Sequence, residues 1–116
     1  MLLHVVLFRP RASLDRAARR ALAESLLEAR QRIPAIRGFR IGRRLVGGPE
    51  YGHAADLPYC ALIEFDDEAG LQAYLQHPAH VRLGALFRET TEAAIICDFL
   101  VSNAEEALSL IEDEPG

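Results

Sequence analysis

The 116-residue sequence contains no lysine and no tryptophan, and only two cysteines. All thirteen basic residues are arginine, which excludes Schiff-base chemistry through a lysine. Cys60 and Cys97 lie singly in apolar runs without CxxC spacing, so we expect reduced core cysteines in a cytoplasmic protein. No apolar run approaches the roughly 20 residues of a membrane span, and residues 1–9 lack the features of a signal peptide. The sequence therefore predicts no membrane association.

Charge is unevenly distributed along the chain. Residues 1–49 hold eleven arginines against three acidic residues, whereas residues 50–116 hold fourteen acidic residues against two arginines. The arginines are scattered over several predicted elements, and they are not accompanied by a series of aromatic residues that could stack on bases. We therefore expect no nucleic-acid partner, and interpret the asymmetry as charge complementarity within the chain or between subunits.

Hydrophobic periodicity predicts six elements in the order strand–helix–strand–strand–helix–strand. The second helix is expected to be interrupted at Pro78, and Ser13 is a favourable N-cap for the first. The predicted strands are Leu2–Phe8, Gly38–Val46, Tyr59–Phe65 and Ala94–Val101, and the helices cover Leu14–Ile33 and the segment from Asp66 or Asp67 to Glu92. This order is typical of a ferredoxin-like α+β domain, βαββαβ, with a four-stranded antiparallel sheet.

The first predicted strand is apolar in both phases, which indicates a central strand covered on two sides. The domain's own helices cover one face only, so a second copy is expected on the other, giving a homodimeric α/β barrel. We assign residues 1–102 to this domain and residues 103–116 to an acidic tail with a short helix using Ala104, Leu108 and Ile111. The loop at residues 47–56 carries His53, for which no site role is expected.

The segment from Tyr74 to His80 is the most informative part of the sequence, because it places a tyrosine and two histidines around Pro78. The residue before a proline avoids the helical region, so one helix should end near Gln76 or His77 and another should start at Pro78. His80 would then lie in a first helical turn, where the dipole disfavours an imidazolium. A neutral imidazole beside a phenol is a proton-transfer pair, but a packed helix corner explains the same pattern.

Two more ionisable residues interrupt predicted strands. His4 is the only ionisable side chain inside the first strand, and Asp98 interrupts an apolar phase of the last. A buried carboxylate needs a partner, and a hydrogen-bonded core histidine is the simplest role for His4.

Taken together, these residues resemble a known family. The chain resembles the stress-responsive A/B barrel (Dabb) family over about residues 2–101. The residues that carry the resemblance are His4, Gly42, Phe65-Asp66, the Tyr-x-x-His-Pro-x-His stretch and Asp98-Phe99. The resemblance implies a dimeric barrel, in a family where most members have no established activity. It also implies distant similarity to one enzymatic branch, the plant polyketide cyclase olivetolic acid cyclase.

By that resemblance, His80 is the catalytic base, Tyr74 the catalytic tyrosine, His4 a pocket histidine and Asp98 the acid that orients the histidine. The pocket wall would comprise Val81, Leu83, Gly84 and Ile96. The implied chemistry needs no cofactor and no metal, and the ligand is an apolar or aromatic small molecule. The Tyr51-Gly52-His53 segment departs from the family pattern, which leaves the pocket mouth undefined.

Three alternatives remain open from the sequence. The first is a non-catalytic dimeric stress-response or accessory module whose histidines are structural. The second, a cofactor-using monooxygenase of the broader superfamily, is disfavoured by the motif around Pro78 and by the lack of tryptophan. The third, a metal site of His4, His77 and His80, lacks further ligands at characteristic spacing.

Overall fold

Four strands in one antiparallel sheet and the helices packed on it make up the computed structural model, which describes residues 1–46 and 56–112. The elements follow the predicted βαββαβ order, with the second helical segment divided in two at Pro78. They are β1 (Leu2–Pro10), α1 (Arg16–Arg32), β2 (Gly38–Arg43), β3 (Tyr59–Phe65), α2 (Glu68–Gln76), α3 (Pro78–Thr90), β4 (Thr91–Leu100), a short 3₁₀ helix (Ala104–Glu106) and α4 (Ala107–Glu112).

The strand order is β2-β3-β1-β4, so β1 is central, as the sequence predicts, and β2 is an edge strand. In this register His4 lies opposite Ile63 of β3 and Asp98 of β4. Directly opposed residues point to the same face of a sheet. The register therefore brings His4 and Asp98, 94 positions apart, onto one face.

The helices pack on that face and form the core with it. Leu2, Val6 and Phe8 of β1 are buried there, because alternate residues of a strand share one face. Phe65 and Ile63 are the largest side chains that are completely enclosed. From the helices, the buried apolar side chains include Leu22 and Ala29 of α1, Leu71 and Tyr74 of α2, and Ala79 and Leu83 of α3.

The opposite face of the sheet has no helix over it within the described residues. Its residues on β1, Leu3, Val5 and Leu7, are only half-buried, and Ile95 and Phe99 of β4 are about half exposed. Cys60 and Cys97 also lie on this face, where they are free and half-buried. The expectation that they are core residues is therefore wrong for the single chain, although both are unpaired as expected.

Several element ends differ from the prediction. For example, α3 ends at Thr90 and not at Glu92, and β4 begins at Thr91 and not at Ala94. The N-cap of α1 is Asp15, whose carboxylate accepts a hydrogen bond from the Ala18 N–H at 2.8 Å, so Ser13 is not the cap. β2 ends at Arg43 instead of Val46, because Arg43 pairs with Tyr59, the first residue of β3. A strand lasts only as long as its partner does.

Residues 47–55, including His53 and the Tyr51-Gly52-His53 segment, lie outside the described residues, as do residues 113–116. In the tail, Leu108 and Ile111 belong to α4 and are 75% and 82% exposed, so they do not pack on this chain's core. Among the described helices, none has the length and apolar character needed to cross a membrane.

Candidate active site

The junction between α2 and α3 is built around His77, which caps both helices. Its backbone N–H donates to the carbonyl of Tyr74 at 3.1 Å and closes α2. Its Nδ1 accepts a hydrogen bond from the Ala79 N–H at 3.0 Å and opens α3, with Pro78 in the first turn. The predicted helix break is confirmed. Because Nδ1 is the cap acceptor, this nitrogen is already used within the fold.

Tyr74 projects from α2 into the space between the sheet and α3. It is 2% exposed, and its ring centroid lies 4.4 Å from that of His80 and 5.7 Å from that of His4. Burial raises the pKa of the phenol to about 12, so Tyr74 is a protonated hydrogen-bond donor at neutral pH. Its hydroxyl has no hydrogen-bond partner in the described part of the chain.

His80 lies in the first turn of α3, as predicted. Its Nδ1 is 3.1 Å from the carbonyl oxygen of Leu75. A carbonyl only accepts, so Nδ1 carries the hydrogen and Nε2 keeps its lone pair. Burial is the largest cause of a lowered pKa; the Leu75 hydrogen bond opposes it, and the positive charges of His4 and Arg88 add to the lowering. The arrangement gives a neutral imidazole with a free basic nitrogen.

His4 is paired with Asp98. The side-chain distance from His4 Nδ1 to Asp98 Oδ1 is 2.6 Å, and His4 is buried whereas the Asp98 side chain is 42% exposed. The expectation that Asp98 orients His80 is therefore wrong, because the strand register puts Asp98 opposite His4. The Leu75 carbonyl holds the His80 tautomer instead.

A cavity of about 380 Å³ lies between the sheet and α3. His4, Tyr74 and His80 all line it, and so do the predicted wall residues Leu83, Gly84 and Ile96. The other predicted wall residue, Val81, is not in the lining and is 58% exposed. The remaining lining is almost entirely apolar: Val6, Phe8, Leu26, Ala61, Ile63, Leu75 and Phe87, with Arg88 as the exception.

Two features of the cavity were missed from the sequence. The Leu75 carbonyl is a backbone group, for which no side-chain pattern exists. Arg88 lies eight residues after His80 on α3, with Gly84 midway, so all three share one helical face. That spacing was a usable signal.

No group of three or more His, Cys, Asp or Glu side chains that could hold a metal ion occurs within residues 1–46 and 56–112. Within the suggested trio, Nδ1 of His77 caps α3 and Nδ1 of His4 binds Asp98. The arrangement therefore leaves at most one nitrogen of each ring for any further partner.

The fold and the cavity define a ferredoxin-like α+β domain with a histidine- and tyrosine-lined pocket. The profile of the Stress Responsive A/B Barrel Domain (Dabb) matches residues 2–101, and the chain belongs to this family.

Solved structures with the same fold come from several organisms. A dimeric ferredoxin-like protein of unknown function from Jannaschia sp. CCS1 is 26% identical, with a TM-score of 0.68 over 86% of this chain and 98% of that one. A second dimeric protein, from Thermobifida fusca, is 20% identical, with a TM-score of 0.70 over 86% and 90% of the two chains. The hydroxynitrile lyase of Passiflora edulis is 15% identical, with a TM-score of 0.76 over 89% and 94%. No curated protein sequence matches the chain significantly.

Proposed function

We propose that this protein is a homodimeric barrel that binds a small apolar or aromatic molecule and carries out acid–base chemistry on it without a cofactor. One observation carries the proposal: Tyr74 and His80, with ring centroids 4.4 Å apart, line the same apolar cavity with a free hydroxyl and a free Nε2. A donor and a base facing one cavity are the two groups that proton abstraction beside a carbonyl requires.

The reaction we assign is a polyketide cyclase-like aldol closure. His80 Nε2 removes a proton from a carbon between two carbonyls of a poly-β-keto chain, and the carbanion attacks a carbonyl farther along that chain. Tyr74 donates a hydrogen bond to the oxyanion that forms. The proton on His80 returns to that oxygen, so the step consumes no oxidant, reductant or co-reactant.

The electrostatics of the cavity support these roles. His80 is neutral at neutral pH because its pKa is lowered by burial, so the base is in its active form. Tyr74 keeps its proton because its pKa is raised to about 12. His4 adds a polar group to the wall, and the Asp98 carboxylate accepts the hydrogen of its Nδ1, which leaves Nε2 for a ligand. In this proposal Asp98 orients His4.

The size of the cavity limits the ligand. A volume of about 380 Å³ lies at the small end of the range for small-molecule sites. The apolar wall favours an aliphatic or aromatic body over a sugar or nucleotide.

The homodimer is proposed from the uncovered sheet face. Half-buried Leu3, Val5 and Leu7, together with Ile95 and Phe99, give an apolar surface of the kind that a second sheet covers. Two structures of the same fold are described as dimeric. The free cysteines on this face fit a reducing, cytoplasmic compartment.

The second candidate is a non-catalytic dimeric stress-response or accessory module. It is favoured by the structural uses of two histidines, since His77 caps two helices and His4 satisfies Asp98. In that case His80 and Tyr74 would pack at the junction between α2 and α3 and have no catalytic role.

Turnover assays on His80→Gln and Tyr74→Phe separate the two candidates. The substrate panel contains a linear poly-β-ketone and, because the fold also carries a hydroxynitrile lyase, an aromatic hydroxynitrile. We expect each variant to lose at least a hundredfold in kcat/KM with little change in melting temperature. Tyr59→Phe is the matched control, because Tyr59 packs on Phe8 outside this cavity. Wild-type protein that turns over nothing would favour the non-catalytic module. Variants that keep full activity would refute the assignment of His80 and Tyr74 as the reacting pair.

A further inference from the structure

The face of α3 that lines the cavity has an open space between the side chains of His80 and Arg88. His80, Gly84 and Arg88 follow one another at four-residue intervals, and all three line the cavity. A side chain built on Gly84 would put its Cβ 3.6 Å from Arg88 Nη1 and 3.9 Å from His80 Cε1. The glycine therefore leaves an open slot bounded by an imidazole at one end and a guanidinium at the other.

The slot is not required by the packing of the protein itself. Both distances are ordinary van der Waals contacts, so an alanine would fit there without displacing a neighbour. Glycine inside a helix is less stable than alanine because it has more backbone freedom to lose on folding. The chain thus has glycine at a helical position where alanine would fit and would make the helix more stable.

Arg88 is an unpaired cation at this slot. Among the described residues it has no hydrogen bond or ion pair, whereas Arg82, on the same helix, is bound to Glu28. The cavity lining contains no aspartate or glutamate. A guanidinium beside an apolar cavity without a carboxylate is suited to bind an anion that enters from outside, through two parallel N–H donors.

We propose that the Gly84 slot and Arg88 bind a carboxylate on the ligand, so that the cavity takes molecules with an acidic head and an apolar body. This inference rests on the proposed small-molecule function and adds the class of ligand. Arg88 is a specificity-determining residue in it, with Gly84 providing room for the head group. The apolar body would lie along the cavity wall toward Ile63 and Ile96.

The test compares two probes of nearly equal shape, octanoate and octanamide, by isothermal titration calorimetry on the full chain. We expect octanoate to bind at least tenfold more tightly than octanamide in low salt, and the preference to shrink as salt screens the exposed Arg88 side chain. Arg88→Gln should bring the two affinities within a factor of two. Arg30→Gln, which removes an exposed arginine of α1 outside the cavity, should leave the preference unchanged.

Gly84→Ala provides an independent check. Filling the slot should weaken octanoate binding at least fivefold while raising the melting temperature, because alanine favours the helix. Equal affinity of the two probes for the wild-type protein would overturn the carboxylate assignment and leave the cavity function standing. Binding of neither probe would overturn the small-molecule function together with it. If Arg88→Gln separates the dimer and leaves the preference intact, Arg88 is an interface residue and the proposal fails.

Discussion

Replacing Asp98 by alanine removes the hydrogen-bond partner of a buried histidine. His4 is 6% exposed and lies at the centre of the sheet, and its Nδ1 is bound by the Asp98 carboxylate at 2.6 Å. In the Asp98→Ala variant this nitrogen loses its partner, and its hydrogen faces a methyl group. A buried polar group without a partner costs free energy of folding, because in the unfolded chain water would satisfy it.

The size of the loss follows from the exposure of the two partners. A hydrogen bond to a charged group is worth about 1.5–3 kcal/mol. The Asp98 side chain is 42% exposed, so water replaces part of the lost interaction and the loss lies near the lower end of that range or somewhat below it. We expect a loss of about 1–2 kcal/mol in the free energy of unfolding, which for a chain of this length lowers the melting temperature by about 4–8 °C.

Urea denaturation at fixed protein concentration measures the loss. Asp98→Asn is the matched control, since its amide oxygen still accepts from Nδ1 and should retain most of the stability. In a His4→Leu background the Asp98→Ala change should cost almost nothing, because the interaction is already absent. A cost that is the same in both backgrounds would show that Asp98 acts independently of His4 and would refute the reasoning.

Three further predictions concern the cavity and the sheet. Because burial lowers the pKa of His80 below the ordinary 6.5, its ring should titrate by NMR with a midpoint below 6.5, and a midpoint above 6.5 would contradict the assignment. The folded state favours the neutral ring, so the stability that the neutral ring contributes is lost as the pH falls through that midpoint. Leu83→Ala, at a side chain 5% exposed, should reduce the free energy of unfolding by about 2–4 kcal/mol in urea, and a loss below about 1 kcal/mol would mean that the cavity wall collapses to fill the space. Leu62→Arg on the uncovered sheet face should give a monomer by light scattering, with unchanged far-ultraviolet circular dichroism; a persistent dimer would place the interface elsewhere.

The elements could be predicted because each has a strong local signal. The two-phase apolar pattern of β1 indicates a central strand, and Pro78 marks the helix break by its missing N–H and fixed φ. The C-terminal end of β2 could not be predicted, because it depends on where β3 starts pairing, which is a property of two segments.

The same reason separates the predictable part of the site from the rest. Tyr74 and His80 are close in sequence, and the chain geometry around His77 brings them together. The partner of Asp98 depends on the register between β1 and β4, which a single sequence does not specify. The sequence therefore predicts His80 as the partner of Asp98, whereas the structure has His4 in that role. The sequence also predicts Val81 in the cavity wall. In the structure, Leu83 and Gly84 of α3 line the cavity and Val81 does not.

The double cap at His77 has a consequence for how this pocket can change. Tyr74 and His80 lie three residues to either side of His77, so their spacing is fixed by a short local unit and not by the body of the sheet. The opposite wall, including Ile63 and Ile96, belongs to separate strands. The size of the cavity and the geometry of the reactive pair are therefore set by different parts of the chain. Substitutions in the strands can reshape the cavity for a different ligand while Tyr74 and His80 keep their relative positions.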